Sequence, residues 1–235
     1  MKLLSYVYSD GSKICDLNKE NSWTNVNCNL RGGGKFNAFS IYTSNHSTYF
    51  YSNNIIELFS KPEFTMMFWG KYSGTGPYAS AIIGHNITKS GQSNWKGFCL
   101  FSRYGSDDNR VVLSYNHSSN SCFAGSNSII LTNNWIHFCI TKTSDNIFSL
   151  YLNGTKRCST NCSSPYDDII YYNLLLTSDA WRYRYIVGYI DDLLMCDKAL
   201  YTSNFAVPTI SNLDVFNNKL AKIAYTNEDN LYGIN

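Results

Sequence analysis

Short apolar runs, set between clusters of Gly, Asn and Ser, recur along nearly the whole chain, and this spacing constrains the fold more than any other feature. Before residue 197 no stretch of useful length carries apolar residues at helical period. The runs Leu3–Tyr8, Ala38–Tyr42, Thr48–Ser52, Glu63–Lys71, Ser80–Gly84, Gly97–Arg103, Val111–Tyr115, Ser128–Leu131, Trp135–Thr143, Ile147–Leu152, Ile169–Leu174 and Ile186–Cys196 read as strands. Ile147–Gly154 shows the logic. Phe148, Leu150 and Leu152 alternate with Ile147, Ser149 and Tyr151, so the apolar three share one face, which points inward. Asn153 and Gly154 then supply the two positive φ angles of a tight hairpin turn. In the run before it, Phe138 and Ile140 alternate in the same way with His137, Cys139 and Thr141. Strands at this spacing predict an all-β chain of two packed antiparallel sheets.

At 235 residues the chain suits one such domain, or one with a small extension, and needs no metal or disulfide merely to fold. Charged residues make up 15% and the net charge is +2, with no basic stripe along the sequence, which argues against a nucleic-acid partner. Met1–Lys13 lacks a long apolar core and a small-residue cleavage site, and no apolar run is long enough to span a bilayer. The expectation is a protein made in a cytoplasm, neither exported by the general route nor inserted in a membrane. Its eight cysteines are then expected to be reduced. Cys99, Cys139 and Cys196 sit in apolar runs as small hydrophobes, while Cys158 and Cys162 read as loop thiols, a disulfide or zinc site there being the alternative. The five N-x-S/T sequons match what so Asn-, Ser- and Thr-rich a chain carries by chance.

Four segments stand in a telling order: Phe64–Lys71 (FTMMFWGK), Trp135–Lys142 (WIHFCITK), Ile147–Gly154 (IFSLYLNG) and Gly188–Phe205 (GYIDDLLMCDKALYTSNF). Together they resemble the laminin G-like, concanavalin A-like domains over roughly residues 35–205. The resemblance implies a two-sheet antiparallel jelly-roll β-sandwich, a fold that hosts lectins, glycosidases, adhesins and inert spacers. It also implies that an acid of the Asp191-Asp192 pair joins backbone carbonyls near the domain start to hold a structural Ca²⁺, a cofactor not required for folding. The alternative is that these acids hydrogen-bond a neighbouring loop. Leu194 departs from the family pattern, which commonly has a polar residue there, and so leaves apolar surface for residues 206–235 to cover.

Catalysis finds little support. Glycosidases on this fold set paired acids on one strand face, but none of Glu20, Glu57, Glu63 and Glu228 has an acid at i+2 or i+4. Asp107-Asp108 and Asp167-Asp168 are adjacent pairs in turns, no nucleophile elbow marks a triad, and His137 reads as a satisfied structural histidine. Arg31–Lys35 (RGGGK) is a glycine-rich turn without phosphate-loop spacing. Sugar binding needs aromatic platforms beside loops, and Trp95, Tyr104, Tyr166, Trp181 and Tyr183 are the candidates; Trp69 and Trp135, in strands, read as core. The polar stretch 116–127 reads as a long loop.

The organisation expected is an N-terminal strand and connecting segment over 1–34, the sandwich over 35–205, and a C-terminal docking or packing extension over 206–235. In that extension Leu213, Phe216, Leu220 and Ile223 recur at helical spacing, although Leu220–Tyr225 also suits a strand. The function expected is non-catalytic: a structural or adhesive virion protein, such as a phage fibre or decoration component, assembled in the host cytoplasm. Its partners would be other virion proteins or itself, through the extension, and a host-surface glycan. The alternatives are an extracellular carbohydrate-binding lectin module and, third, a glycoside hydrolase.

Overall fold

The computed structural model describes residues 1–52, 58, 61–75, 80–87, 96–102, 111–115, 120–123, 132–161, 174–176 and 185–220. In chain order its strands are β1 (Leu3–Ser9), β2 (Ile14–Asp16), β3 (Thr24–Val26), β4 (Asn29–Gly32), β5 (Phe39–Thr43) and β6 (Tyr49–Ser52). Then come β7 (Phe64–Thr75), β8 (Ser80–Ile87), β9 (Lys96–Ser102), β10 (Val111–Tyr115) and β11 (Asn120–Phe123). The last are β12 (Ile136–Lys142), β13 (Ile147–Leu152), β14 (Thr155–Asn161), β15 (Leu174–Leu176) and β16 (Ile186–Cys196), followed by a helix, α1, over 212–220.

The strands form two antiparallel sheets, as the alternation predicts. One runs β14-β13-β12-β7-β16-β1-β5-β4, with β2 paired to β1; the other runs β11-β10-β9-β8-β15-β6-β3. The four segments that carry the family resemblance are contiguous in the first sheet, as β13, β12, β7 and β16. Residues 1–34 supply strands to both sheets: β1 lies between β16 and β5, whereas β3 pairs with β6.

Period two sorts the side chains. Phe64, Met66, Phe68, Phe138, Ile140, Phe148, Leu150 and Leu152 face inward and meet Phe50, Ile82, Ile83, Leu100, Val111 and Leu113 of the second sheet. Phe68 and Phe138, directly opposite in register, stack with centroids 4.8 Å apart. The outer face of the first sheet is apolar at one end. There Tyr6, Met67, Cys139, Tyr151, Leu194 and Cys196 form a second buried cluster with Phe216 of α1, and Leu200, Tyr201, Phe205, Leu213 and Val215 pack around it. Leu194 is wholly buried beneath this covering.

Several elements differ from the sequence reading. The segment that holds Cys158 is not a loop but edge strand β14, and Cys158 is disulfide-bonded rather than a free thiol; Cys162 lies outside the described residues. The polar stretch 116–127 contains strand β11, which completes a hairpin with β10. The short strands β2, β3 and β4 were not foreseen, Ser128–Leu131 lies outside the described residues, and of Ile169–Leu174 only Leu174 is described, where β15 begins. Leu213 and Phe216 belong to a helix, and no described helix is long and apolar enough to cross a membrane.

Candidate functional site

Strand β16 changes partner midway, and that change builds the site. Its first half pairs with β5, through Gly188↔Thr43, Tyr189↔Tyr42 and Ile190↔Ile41, while its last residues pair with β1. Between the halves the ladder with β7 breaks from Asp191 to Leu194, where Asp192 takes a φ of 58°. A bulge of this kind re-aims side chains, and here it sends Asp191 and Asp192 to different surroundings.

Before the bulge, the outer face presents a row of residues in register across the sheet. Asn29 of β4 lies opposite Tyr42, Tyr42 opposite Tyr189, and Tyr189 opposite Lys71 of β7. Because Gly70 pairs with Ile136, Trp135 continues the row beside Lys71. The Tyr42 and Tyr189 rings are 4.7 Å apart, and the Trp135 ring lies 6.4 Å from that of Tyr189. All three are half-buried, so part of each side chain remains accessible to solvent. Cations flank them: the Arg31 guanidinium sits 3.9 Å from the Tyr42 ring centre and the Lys71 ammonium 5.8 Å from that of Tyr189. Trp69 is buried beside the row on the same outer face, with Lys35 4.6 Å above its ring and Phe36 edge-on at 5.7 Å. Trp135 is therefore a surface aromatic, not a core one, and Trp69 is core to the outer face rather than to the space between the sheets.

Asp191, 3% exposed, faces the loop before β5. Its Oδ2 accepts hydrogen bonds from the backbone N–H groups of Phe36 (3.0 Å) and Asn37 (3.3 Å), and its Oδ1 accepts one from the Asn37 side-chain amide (2.7 Å). The same Oδ2 converges with two carbonyls. A Cβ built on Gly34 would meet the Asn37 carbonyl oxygen closely, Asp191 Oδ2 at 2.9 Å and the Phe39 carbonyl oxygen at 3.0 Å. One carboxylate and two carbonyls gather beside Gly34, where a side chain would intrude, and oxygens of this kind are the donors that Ca²⁺ takes.

Asp192 has no such geometry. Its Oδ1 accepts from the Tyr6 hydroxyl at 2.7 Å and its Oδ2 from the Asn212 backbone N–H at 2.7 Å, the first turn of α1. Asn212 returns its side-chain amide to the Asp192 carbonyl at 2.8 Å, and its Oδ1 lies 3.0 Å from His137 Nε2. That oxygen can only accept, so Nε2 carries a proton. Nδ1 of His137 is buried without a hydrogen-bond partner, so the histidine is only half satisfied. Burial raises the Asp192 carboxyl to about 7, against the two hydrogen bonds it accepts, with Asp191 and Asp214 adding to the rise. Burial lowers His137 to about 4, against the bond to Asn212. The Tyr6 hydroxyl is pushed up by burial and by Asp192. No group of three His, Cys, Asp or Glu among the described residues is placed to hold a metal.

Of the residues read from the sequence as sugar platforms, Trp95, Tyr104, Tyr166, Trp181 and Tyr183 all lie outside the described residues. Sequence reasoning missed Tyr42, Tyr189, Arg31 and Lys71. The available signal was period two: Tyr189 falls on the face opposite Ile190, and Tyr42 on the face opposite Ile41.

The model of the concanavalin A-like lectin/glucanases superfamily matches residues 43–204. Among curated proteins no sequence matches significantly. Among solved structures, domain 4 of AbnA, a GH43 extracellular arabinanase from Geobacillus stearothermophilus in complex with arabinotriose, superposes with a TM-score of 0.62 at 15% identity, covering 85% of this chain and 94% of that one. The binding domain of Paraclostridial Mosquitocidal Protein 1 gives a TM-score of 0.61 at 15% identity, covering 85% of this chain and 49% of its own. The binding domain of botulinum neurotoxin DC, in complex with rat synaptotagmin II, gives 0.58 at 13%, with 85% and 49% covered. The chain thus spans about half the length of these last two binding domains. At these identities the likeness is one of fold.

Proposed function

Since the chain belongs to the concanavalin A-like lectin/glucanase superfamily, we propose that it is a non-catalytic carbohydrate-binding sandwich that attaches a larger assembly to a glycan-bearing surface. The observation that carries this reading is the half-buried row Tyr42–Tyr189–Trp135 on the outer face of the first sheet. Aromatic faces stack on the apolar faces of sugars, and neighbouring polar side chains fix orientation. The arabinotriose complex of a domain with this fold supports the same use of the sandwich. A role as binder rather than hydrolase also suits Asp192, whose two oxygens are occupied by Tyr6 and Asn212. Asp191, with the carbonyls of Asn37 and Phe39, would hold a Ca²⁺ that stiffens the loop beside the row.

The assembly we favour is a virion, with this chain as a fibre, tail or decoration component. Support comes from the extension. Val207, Ile210 and Leu220 remain 37%, 41% and 39% exposed after Phe216 has been buried. These side chains would add apolar area to a contact with another copy or another virion protein. A disulfide at Cys158 accords with surroundings outside a reducing cytoplasm, which a virion or secreted module meets.

The test is a glycan array probed with the purified chain, with and without EDTA, its mass measured by light scattering. Saturable binding that Tyr189→Ala abolishes supports the reading. Absence of binding to any glycan, with or without Ca²⁺, overturns it.

A further inference from the structure

The cations along the aromatic row differ from several others on the chain, whose donors are spent within the fold. Lys142 donates to the Lys61 carbonyl, Lys156 to that of Thr202, Lys198 to Glu63 and Lys219 to that of Leu200. Arg31, Lys35 and Lys71 donate to no acceptor and form no ion pair among the described residues; each instead lies over an aromatic ring of the outer face. Arg31 and Lys35 are exposed and Lys71 is half-buried. Asp191, opposite Trp69 in the same sheet, is buried and engaged with Phe36 and Asn37.

This is a local excess of positive charge on a chain whose net charge is only +2. It is not scattered. Arg31 lies next to Tyr42 at one end of the row, and Lys71 lies between Tyr189 and Trp135 near the other. At about 4.8 Å between strands, the row from Asn29 to Trp135 extends roughly 19 Å, the reach of a short oligosaccharide. A guanidinium offers five N–H donors in a planar fork that suits a carboxylate or sulfate, and an ammonium offers three. Their unspent donors flank the platform on which sugar rings would stack.

Resting on the carbohydrate-binding reading above, we infer that the outer-face row is a site for acidic saccharides, with Tyr42, Tyr189 and Trp135 stacking the rings and Arg31 and Lys71 binding a carboxylate or sulfate. Lys35, above Trp69, adds to the attraction from the side. A single-stranded nucleic acid also combines negative charge with stacking faces. The low overall charge favours the saccharide, and the test includes an oligonucleotide.

The probes are matched pairs, 3′-sialyllactose with lactose and 6′-sulfated with unsulfated N-acetyllactosamine, plus a mixed-sequence DNA oligonucleotide. The proteins are the full chain and its Arg31→Gln/Lys71→Gln and Tyr189→Ala variants, each checked for an unchanged melting temperature. The inference expects the acidic member of a pair to bind at least about tenfold more tightly, and the double glutamine variant to remove that preference. It also expects binding to weaken in about 1 M salt, where the screening length is about 3 Å. Equal binding of acidic and neutral members, lost in Tyr189→Ala, overturns the acidic preference and leaves the carbohydrate-binding reading intact. Saccharide binding that survives in both variants overturns the row as the site. Tighter binding of the oligonucleotide than of any saccharide, or no saccharide binding at all, overturns both.

Discussion

The hydroxyl of Tyr6 donates a hydrogen bond to the carboxylate of Asp192 at 2.7 Å, wholly inside the protein and across 186 positions of sequence. This bond joins the first strand to the last at the point where β16 exchanges β5 for β1. Through its other oxygen Asp192 receives the N–H of Asn212, and Asn212 reaches His137 on β12. A carboxylate at the N-terminus of α1 meets a free backbone donor and the positive end of the helix dipole. Ser211 closes the same helix end, accepting from the Asp214 N–H at 3.2 Å while its hydroxyl donates to the Asp214 carboxylate at 2.6 Å. The polar network thus fixes the covering segment on the sheet, next to the apolar cluster that Phe216 completes.

The two titrating members of this network have opposite effects on stability. Asp192 is raised from 3.8 to about 7, so between those values the folded chain keeps a proton that the unfolded chain has released. Its contribution is complete below 3.8 and is lost as pH rises towards 7, up to about 4 kcal/mol. His137 is lowered from 6.5 to about 4, so its contribution is complete above 6.5 and is lost as pH falls towards 4, up to about 3 kcal/mol. In the parent chain the two slopes oppose each other. Urea unfolding from about pH 7.5 down to about pH 5 should therefore show Asp192→Asn losing stability relative to the parent and His137→Gln gaining it. Parallel curves for all three proteins would show that neither group titrates as its burial requires.

The hairpin after β13 also anchors the covering segment. Asn153 and Gly154 have φ angles of 48° and 73°, and the Gly154 carbonyl accepts the Phe205 N–H at 2.9 Å. A Cβ on Gly154 would run into the Phe205 carbonyl. Gly33, with φ of 85°, has nothing within 4 Å of where a Cβ would stand. Gly33→Ala should therefore cost only backbone strain, about 1 kcal/mol. Gly154→Ala should cost at least about twice that by denaturant unfolding, because it also lifts the segment around Phe205. Equal costs would mean that the turn and the covering segment are not coupled.

Much of the sandwich is legible in the sequence because period two is local. Val111–Tyr115, Ile147–Leu152 and Ile186–Cys196 begin and end where alternation places them. The missed strands are short and polar. Thr24–Val26 and Asn29–Gly32 are extended because Tyr49–Tyr51 and Phe39–Tyr42 offer them an edge, and their own pattern says little. Edge strand β14 alternates exposed and half-buried residues with hardly an apolar side chain. The aromatic row is harder still. Its members belong to β4, β5, β16, β7 and the residue before β12, and only lateral register makes them neighbours. Asp191 and Asp192 stand out in the sequence, but the bulge that separates their roles does not.

Phe216 holds the extension in place, and its removal should be felt widely. It is 3% exposed and packs with Leu194, Met67 and Cys139. Phe216→Ala should destabilise the chain by about 3–4 kcal/mol. Deleting 206–235 should go further, uncovering Leu194 and leaving Asp192 and His137 without Asn212. Enhanced binding of a hydrophobic dye and a lower melting temperature are the expected signs. A truncated chain as stable as the parent would mean that this covering adds nothing to the sandwich.

The cradle at Gly34 separates the two neighbouring acids by experiment. Asp191 accepts three N–H donors, two of them on the Oδ2 that faces Gly34, so a cation there would share that oxygen with the Phe36 and Asn37 N–H groups. With the Asn37 and Phe39 carbonyls, three oxygens converge, and water would supply the rest of a shell of six or more. One negative charge in such a shell makes a weak site, of the order of the millimolar extracellular class. At a Ca²⁺ concentration about a hundredfold above the dissociation constant, binding adds about 2.7 kcal/mol, so the melting temperature should rise on titration and fall back with EDTA. Asp191→Asn should abolish the rise, and Gly34→Ala should do the same by filling the cradle. Asp192→Asn should leave it unchanged, because the Asp192 oxygens face Tyr6 and Asn212. If the parent melts at one temperature with Ca²⁺ and with EDTA, Asp191 acts only as the hydrogen-bond anchor of the Phe36–Asn37 loop. Its alanine variant should then still loosen the wall beside Trp69 and Lys35.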